Sequence, residues 1–529
     1  MRWIVPGLLL VVALCSALAW FNNYILLSAD SVPYMVLGRA LAQGAGYRLI
    51  SSPEAPIMRL YPPGYPALLA VVLALTGFAG EGRVLLDAVL PCKIVNLLFF
   101  LASVVVLWNI ATRRLSRVGA MLVVLLFSLS PAILSYTMQI SAEIPLAFFC
   151  LVTIEALDRA MHGERKWFWI AGLGIVGGFY MRTAGLALWA ALIVWLCGRR
   201  RWVEVLKYGS ISGLFLLPWF IHKFTGSSVG VPIEKNYFAQ LLALDPYGSE
   251  LISLHDLWER FWYNLKRYVG SILPQALYPF LSRAFAGHDK ASEAVIGSIA
   301  CIPVVAGYFV SWRRKPGVLE LFVPAFAITF LLWPWVLGIR LALPFLPFLI
   351  LYLVMGLEWA INRLGIRRLN RPVAPALLVV CCVPILLSSL RVTVSNELGN
   401  LRGGMIRTLE SYYRNQPQWL SYLEAVNWLN SAVPDNRQVV MGRNAPIIYF
   451  LTGRRAVEYP YSSRPADLQA VIARNRVRYV IEDQFRWTHS TEIFLVPAMR
   501  GLPDGFDLVY ETAEPATRVW AVRPSLWEQ

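Results

Sequence analysis

The chain has 529 residues, 57% of them hydrophobic and only 15% charged, with mean hydropathy +0.55. An ordinary soluble domain carries about 25% charged residues, so this composition excludes a wholly soluble protein and indicates an α-helical polytopic membrane protein. The net charge of +16 would suit nucleic acid, but the basic residues fall in short loops between apolar runs, which reads as membrane topology, with no nucleic-acid partner.

In chain order, an uncharged apolar run from Trp3 to Leu27 is long enough to cross about 30 Å of hydrocarbon. Ala17-Leu18-Ala19 resembles a signal-peptide processing site, but the run continues past it. It therefore reads as a retained first helix ending three residues before Asp30. Residues 28–61 then read as a polar loop rich in Gly, Pro and Tyr. The apolar run Ala67–Phe78 is too short to span and reads as a helix lying in the interface. Later runs at 84–110, 118–134, 142–158, 167–181, 184–198, 203–221, 292–311, 318–338, 341–361 and 373–390 bring the expected total to about eleven spans.

Basic clusters test this count. Arg113, Arg114 and Arg117, then Arg159, Arg165 and Lys166, then Arg199-Arg200-Arg201 occupy alternate loops. The alternation continues through Arg313-Arg314-Lys315 and through Arg363, Arg367, Arg368 and Arg371, with Arg2 on the same side. Such loops stay in the cytoplasm, and counting 67–78 as a span would break the pattern. The opposite, extracytoplasmic face then receives Asp30 and its loop, Glu143, Arg182, the long loop 222–290, Arg340 and everything after about 391.

Two domains are expected: a transmembrane domain over 1–391 with outer loops 28–83 and 222–290, and a small extracytoplasmic α/β domain over 392–529. The latter opens on a helical pattern at Trp419–Leu429 and continues with strand-like runs at 438–441, 478–481, 508–510 and 518–522. All seven cysteines lie in or beside apolar runs, with no zinc-site spacing, and read as packing residues.

Polar residues at the outer ends of spans need a reason, because such groups are costly at membrane depth. Asp30, Glu143, Arg182 and Arg340 are the four that qualify. Arginine grips phosphate with a bidentate fork and keeps its charge; a carboxylate takes a proton from an attacking hydroxyl. Each also has a bland reading. Asp30 could cap a helix, Glu143 could favour the helix start where acids suit the dipole, and the arginines could snorkel. Lys93, two turns inside its span, reads first as a snorkelling residue and second as a phosphate ligand. His222-Lys223 and the aromatic stretch 255–268 read first as an amphipathic surface segment and second as substrate contacts. Tyr61-Pro62-Pro63-Gly64-Tyr65-Pro66 reads as a turn whose tyrosines suit an interfacial belt.

The order of these features resembles a known family. Asp30 just after the first helix, then Gly44-Ala45-Gly46-Tyr47, then the Tyr61–Pro66 motif, then Ser141-Ala142-Glu143, is similar to the polytopic GT-C glycosyltransferases that use lipid-phosphate-linked sugars. The nearest branches are the dolichyl-phosphate-mannose protein mannosyltransferases and the aminoarabinose transferases of lipid A. The resemblance covers residues 1–200 best. It implies that Asp30 and Glu143 are the catalytic acids, that Arg59, Arg182 and Arg340 bind the donor phosphate, and that Tyr34, Tyr61 and Tyr65 contact substrate. The chain departs from its relatives at Tyr61, where Lys or His is frequent, at Ser31, where an acid is usual, and at Leu341, where Tyr is usual.

The chemistry so implied is transfer of a sugar from a polyprenyl-phosphate donor to a hydroxyl or phosphate on a glycan, lipid or protein acceptor. It would take place on the outer face of the plasma membrane. Polyprenyl phosphate is a good leaving group once its charge is neutralised, so the protein needs a base and an electrostatic clamp. No Asp-x-Asp motif lies on the outer face, and the expected transfer is inverting, without metal or cofactor. Two alternatives come from other classes: a lipid-sugar flippase lined by the same charges, and a non-catalytic component of a surface-polysaccharide machine. The clustering of charges on one face and the lack of an inverted repeat disfavour transport.

Overall fold

The computed structural model describes every residue except 1–3, 23, 28–29, 81–83, 165, 225–240, 243–250, 286–288, 315, 365–372, 403–407, 486–488 and 528–529. Arg2, Arg165, Lys315, Arg367, Arg368 and Arg371, and much of the 222–290 loop, thus lie outside the described residues. Two compact units emerge. One joins Met1–Phe21, Asn96–Phe224 and Glu250–Gly404; the other joins Asn22–Val95 with Met405–Gln529 and the intervening Thr225–Ser249.

The first unit is helical, as is the Asn22–Val95 segment of the second. Helix α1 runs Ile4–Ala19, and the chain leaves it through the turn bonds of Trp20 and Phe21 to Ala17 and Leu18. The expected span to Leu27 is therefore cut short, and Asp30 lies eleven residues beyond the helix end instead of three. The second correction concerns the polar loop. It contains helix α2, Ser31–Ala42, almost wholly buried, followed by α3, Gly64–Leu75, where a short helix was expected. An apolar Val-Pro-Tyr-Met-Val-Leu stretch in the first turns of α2 drives that burial, and the surrounding Gly and Pro residues hid it.

The remaining apolar runs all become helices: α4 Val89–Arg114, α5 Arg117–Leu129, α6 Pro131–Thr137, α7 Glu143–Met161, α8 Lys166–Met181, α9 Leu186–Gly198 and α10 Trp202–Phe224. Helices Lys290–Ala300, Ile302–Arg314, Val318–Leu331, Leu346–Arg363 and Val373–Arg402 follow. Among the described residues four segments are long and apolar enough to cross a membrane alone: Leu85–Arg114, Lys290–Arg314, Gly338–Arg363 and Val373–Asn400. A fifth is the pair α5–α6, bent by 51°. The bend falls where Pro131 cannot donate to the preceding turn and Ser130 caps the new helix through the Ile133 N–H. The α7 helix is long enough at 19 residues, but Glu143, Glu155, Asp158 and Arg159 lower its apolarity.

Without a hydrophobic drive between helices in lipid, close contact depends on small residues. Helices Ile302–Arg314 and Leu346–Arg363 meet at Gly307 and Gly356. A Cβ on Gly307 would lie 1.8 Å from the Tyr352 carbonyl oxygen, and one on Gly356 would lie 1.9 Å from that of Pro303. Any side chain there would force the pair apart.

In the second unit the C-terminal residues form a five-stranded mixed sheet of order β2-β1-β3-β5-β4. Its strands are β1 Val439–Gly442, β2 Ala456–Glu458, β3 Val477–Glu482, β4 Phe506–Glu511 and β5 Arg518–Val522. Helices Ala445–Thr452 and Pro465–Asn475 make the crossovers that allow β1 to pair in parallel with both β2 and β3, while β3, β5 and β4 run antiparallel. Strand β2, three residues between Arg455 and Tyr459, carried no sequence pattern of its own. Met441, Leu468, Ile472, Val480 and Leu495 form the core of this layer. The first loop is stitched to it. Ser51 accepts from the Ala456 N–H at 2.7 Å on the free edge of β2, Glu54 pairs with Arg474 at 2.7 Å, and Tyr24 stacks on Tyr412 at 4.0 Å.

Glu458 ends β2 with both carboxylate oxygens buried. Burial pushes its carboxyl up to about 8, partly offset by the Ala445 N–H. A carboxyl raised in the fold above its ordinary value of 4.5 holds a proton that the unfolded chain releases. The contribution of Glu458 to the sheet is therefore fully present below about pH 4.5 and is lost as pH rises toward 8. In the full-length protein, hydrogen exchange of residues 439–482, corrected for intrinsic rates, should show greater protection at pH 5.5 than at pH 8. Glu458→Gln should abolish that difference.

Candidate active site

Glu143 is the first residue of α7 and is wholly buried. The α7 N-terminus suits an acid because its free N–H groups carry partial positive charge. Its Oε1 accepts from Arg182 Nη1 in a short contact and from Arg340 Nε at 2.6 Å. Arg182 occupies the extended residue between α8 and the 3₁₀ turn Thr183–Gly185. Arg340 sits in the 3₁₀ segment Gly338–Phe345, which Gly338 opens at φ +58°. That left-handed backbone turns the chain back on itself and suits glycine. Both arginine side chains remain 13–15% exposed while the carboxylate is 1% exposed. Two guanidiniums thus converge on one carboxylate oxygen in a poorly hydrated place.

Sequence reasoning missed the residue that positions this acid. Asn96 is fully buried in α4, and its Nδ2 donates to the carbonyls of Gln139 at 2.7 Å, Ser141 at 3.0 Å and Tyr136 at 3.4 Å. It thereby clamps the turn that delivers Glu143. The signal was present: an amide three residues after Lys93, inside an otherwise apolar run. Lys93 itself is corrected. It does not snorkel. It is 0% exposed and donates to Asn22 O at 2.9 Å, Asn22 Oδ1 at 2.7 Å and Tyr24 O at 2.5 Å, pinning the start of the first loop.

Asp30 belongs to the second unit, as the residue before α2. It makes no side-chain cap to that helix, which removes the capping reading. It is half-buried, and its Oδ1 accepts from the Tyr61 hydroxyl at 2.9 Å. Tyr61 is held in turn: Tyr47 Oη donates to its carbonyl at 2.8 Å. Tyr34 meets Tyr61 edge-on at 5.1 Å and Tyr65 at 5.2 Å. With Tyr34 at 1%, Tyr61 at 3% and Tyr65 at 0% exposure, the tyrosines form a packed aromatic bed under Asp30 instead of an interfacial belt. Arg59 is half-buried two residues before Tyr61. The structure therefore gathers Glu143, Arg182 and Arg340 into one cluster and Asp30, Tyr34, Tyr61 and Tyr65 into another.

The 255–268 stretch is the amphipathic helix Leu254–Arg267, capped reciprocally by Ser253 and Asp256, with Trp258 and Tyr263 about 60% exposed. His255, Asp256 and Glu259 form the single group of potential metal ligands among the described residues, with ligand atoms within 4.8 Å of one another. They lie on the exposed side of that helix, and Asp256 already serves the cap.

Comparison with known proteins adds to this geometry. Residues 61–222 match the family described as dolichyl-phosphate-mannose-protein mannosyltransferase, a span that includes Tyr61, Glu143 and Arg182. No curated protein matches the chain. Among solved structures, ArnT from Cupriavidus metallidurans bound to undecaprenyl phosphate is similar with TM-score 0.57 and 15% identity, covering 100% of this chain and 99% of that one. Its apo form gives TM-score 0.58 and 14% identity over 100% and 99%. An oligosaccharyltransferase from Archaeoglobus fulgidus, tethered to an acceptor peptide, gives TM-score 0.58 and 13% identity over 99% of this chain and 75% of that one.

Replacing Asn96 by Leu keeps its size but leaves the carbonyls of Gln139 and Ser141 without this donor. Such losses typically cost about 1–3 kcal/mol. Thermal unfolding of the purified variant should show a lowered midpoint, and Asn96→Gln should recover part of it.

Proposed function

For a chain with the GT-C glycosyltransferase fold and a mannosyltransferase-family match over residues 61–222, we propose transfer of a sugar from a polyprenyl-phosphate donor to an acceptor hydroxyl or phosphate. The site would face the extracytoplasmic side of the plasma membrane. The observation that carries this reading is the convergence of Arg182 and Arg340, both still partly exposed, on one buried carboxylate. It suits the phosphate of a lipid carrier, and the solved ArnT structure holds undecaprenyl phosphate.

In the proposed step the acceptor oxygen attacks the anomeric carbon from the face opposite the phosphate. Its proton passes to the Asp30 carboxylate. The bond from the anomeric carbon to the phosphate oxygen breaks, the electron pair leaves with polyprenyl phosphate, and the sugar is inverted. Arg182 and Arg340 stabilise the negative charge that develops on the leaving phosphate. Arg59 offers a further cation to it. Glu143 acts through these arginines: its Oε1 fixes both forks, so it is a positioning residue here. Tyr61 orients the Asp30 carboxylate, with Tyr34 and Tyr65 packed behind it.

With purified protein, donor and acceptor supplied, Asp30→Asn should lower turnover by at least about 100-fold while leaving donor binding unchanged. Near-normal turnover would remove Asp30 as the base. Arg182→Ala or Arg340→Ala should each weaken donor binding by about 1.5–3 kcal/mol, and Lys should rescue only partly because it lacks the fork. Removing both arginines should also destabilise the fold, because the buried Glu143 would lose both guanidiniums. A flippase would instead show lost lipid translocation with no sugar transfer to lose. The acceptor class follows from the mass change of envelope glycans and glycoproteins after the protein is removed.

Sidedness has its own test. In a cysteine-free background, Ala45→Cys and Ser463→Cys, both exposed, should label together with an impermeant reagent from outside. Glu164→Cys, in the basic loop after α7, should label only from the cytoplasm. Labelling of all three from one side would overturn the topology.

A further inference from the structure

The end of the first unit that carries the arginine clusters is hollow. A cavity of about 1010 Å³ opens among the C-terminal ends of α4, α7, α9 and helix Ile302–Arg314 and the start of helix Val318–Leu331. Asp158, on its wall, lies 15 residues after Glu143 on α7, about 22 Å along the helix axis. The cavity is thus separate from the Glu143 cluster.

Six arginines line it: Arg113, Arg114, Arg159, Arg199, Arg201 and Arg314. Basic residues in a last helical turn are expected from the helix dipole and from topology alone. Neither cause, however, requires them to converge on one open cavity or to be left in surplus. Glu155 is shared by Arg113 and Arg159, Arg201 takes Glu204, and Arg114 takes Asp158 at 2.7 Å and Glu320 at 3.2 Å. Arg199 and Arg314 meet no carboxylate within 4 Å among the described residues. Arg199 instead stacks on Trp195, 5.3 Å from the ring centroid.

The wall beneath is built and polar. Glu320 is wholly buried, accepting from Ser311 Oγ at 2.6 Å, from the Gly317 N–H at 2.8 Å and from Arg114. Arg114 is thereby fixed at the cavity surface. A rigid arginine on the wall, two surplus arginines and a Trp beside one of them suit phosphate oxygens attached to a larger group. The volume lies at the top of the range for small-molecule sites.

We propose that this cavity binds a phosphate-bearing anion, most simply the headgroup of an anionic membrane phospholipid. Basic pockets between spans on this side of a membrane are natural headgroup sites.

The test uses the purified full-length protein in detergent. Native mass spectrometry with phosphatidylglycerol should show bound lipid, with phosphatidylcholine binding much more weakly. The Arg199→Ala/Arg314→Ala double variant alters two exposed side chains and spares Arg114 and Glu320. It should weaken phosphatidylglycerol binding by about tenfold or more, as loss of one charged hydrogen bond does. A second arm adds millimolar inorganic phosphate and reads the thermal midpoint. A rise that the double variant loses, without lipid binding, supports the phosphate site and assigns its occupant to the soluble pool. Equal phosphatidylglycerol binding by wild type and double variant, or no response to either probe, overturns the proposal.

Discussion

A carboxylate with no exposed surface must be neutralised where it stands, and the Glu143 contacts with Arg182 and Arg340 do this across three separate chain segments. The pairing ties the start of α7 to the break between α8 and α9 and to the 3₁₀ segment before helix Leu346–Arg363. Breaking a buried pair by removing one partner costs about 3–5 kcal/mol. The second arginine changes that outcome, because loss of one fork still leaves the acid paired.

The same unit solves a second buried-charge problem at the other end of α7, with different means. Glu155 is shared between Arg113 and Arg159, and Arg114 is shared between Asp158 and Glu320. At both ends acids and arginines alternate around helix termini, so charge balance there is collective. Single surface-style pairs would add little; networks in which one member bridges two partners hold helix ends in register.

Much of this was legible in the chain. The apolar runs gave the helices because their length and composition leave no other way to satisfy backbone groups in lipid. Glu143, Arg182 and Arg340 stood out as costly residues at run ends. Other features were not legible. Helix α2 was masked by the Gly and Pro residues around it, and β2 by its three-residue length. The end of α1 at Ala19 was hidden because residues after it remain apolar while leaving the helix. Asn96 was missed because an amide inside an apolar run reads as noise until its three carbonyl partners are visible. Pairings such as Asp30 with Tyr61 depend on a turn geometry that spacing alone does not fix.

The first loop is hydrogen-bonded to a sheet edge made very late in the chain: Ser51 O accepts from the Ala456 N–H. Those residues are about 400 positions apart. At a synthesis rate of roughly 5–20 residues per second, the loop is made some 20–80 seconds before its partner strand exists. During that interval the Asn22–Val95 segment has left the ribosome without the surface that completes it. Completion of this unit therefore waits until most of the chain has been made.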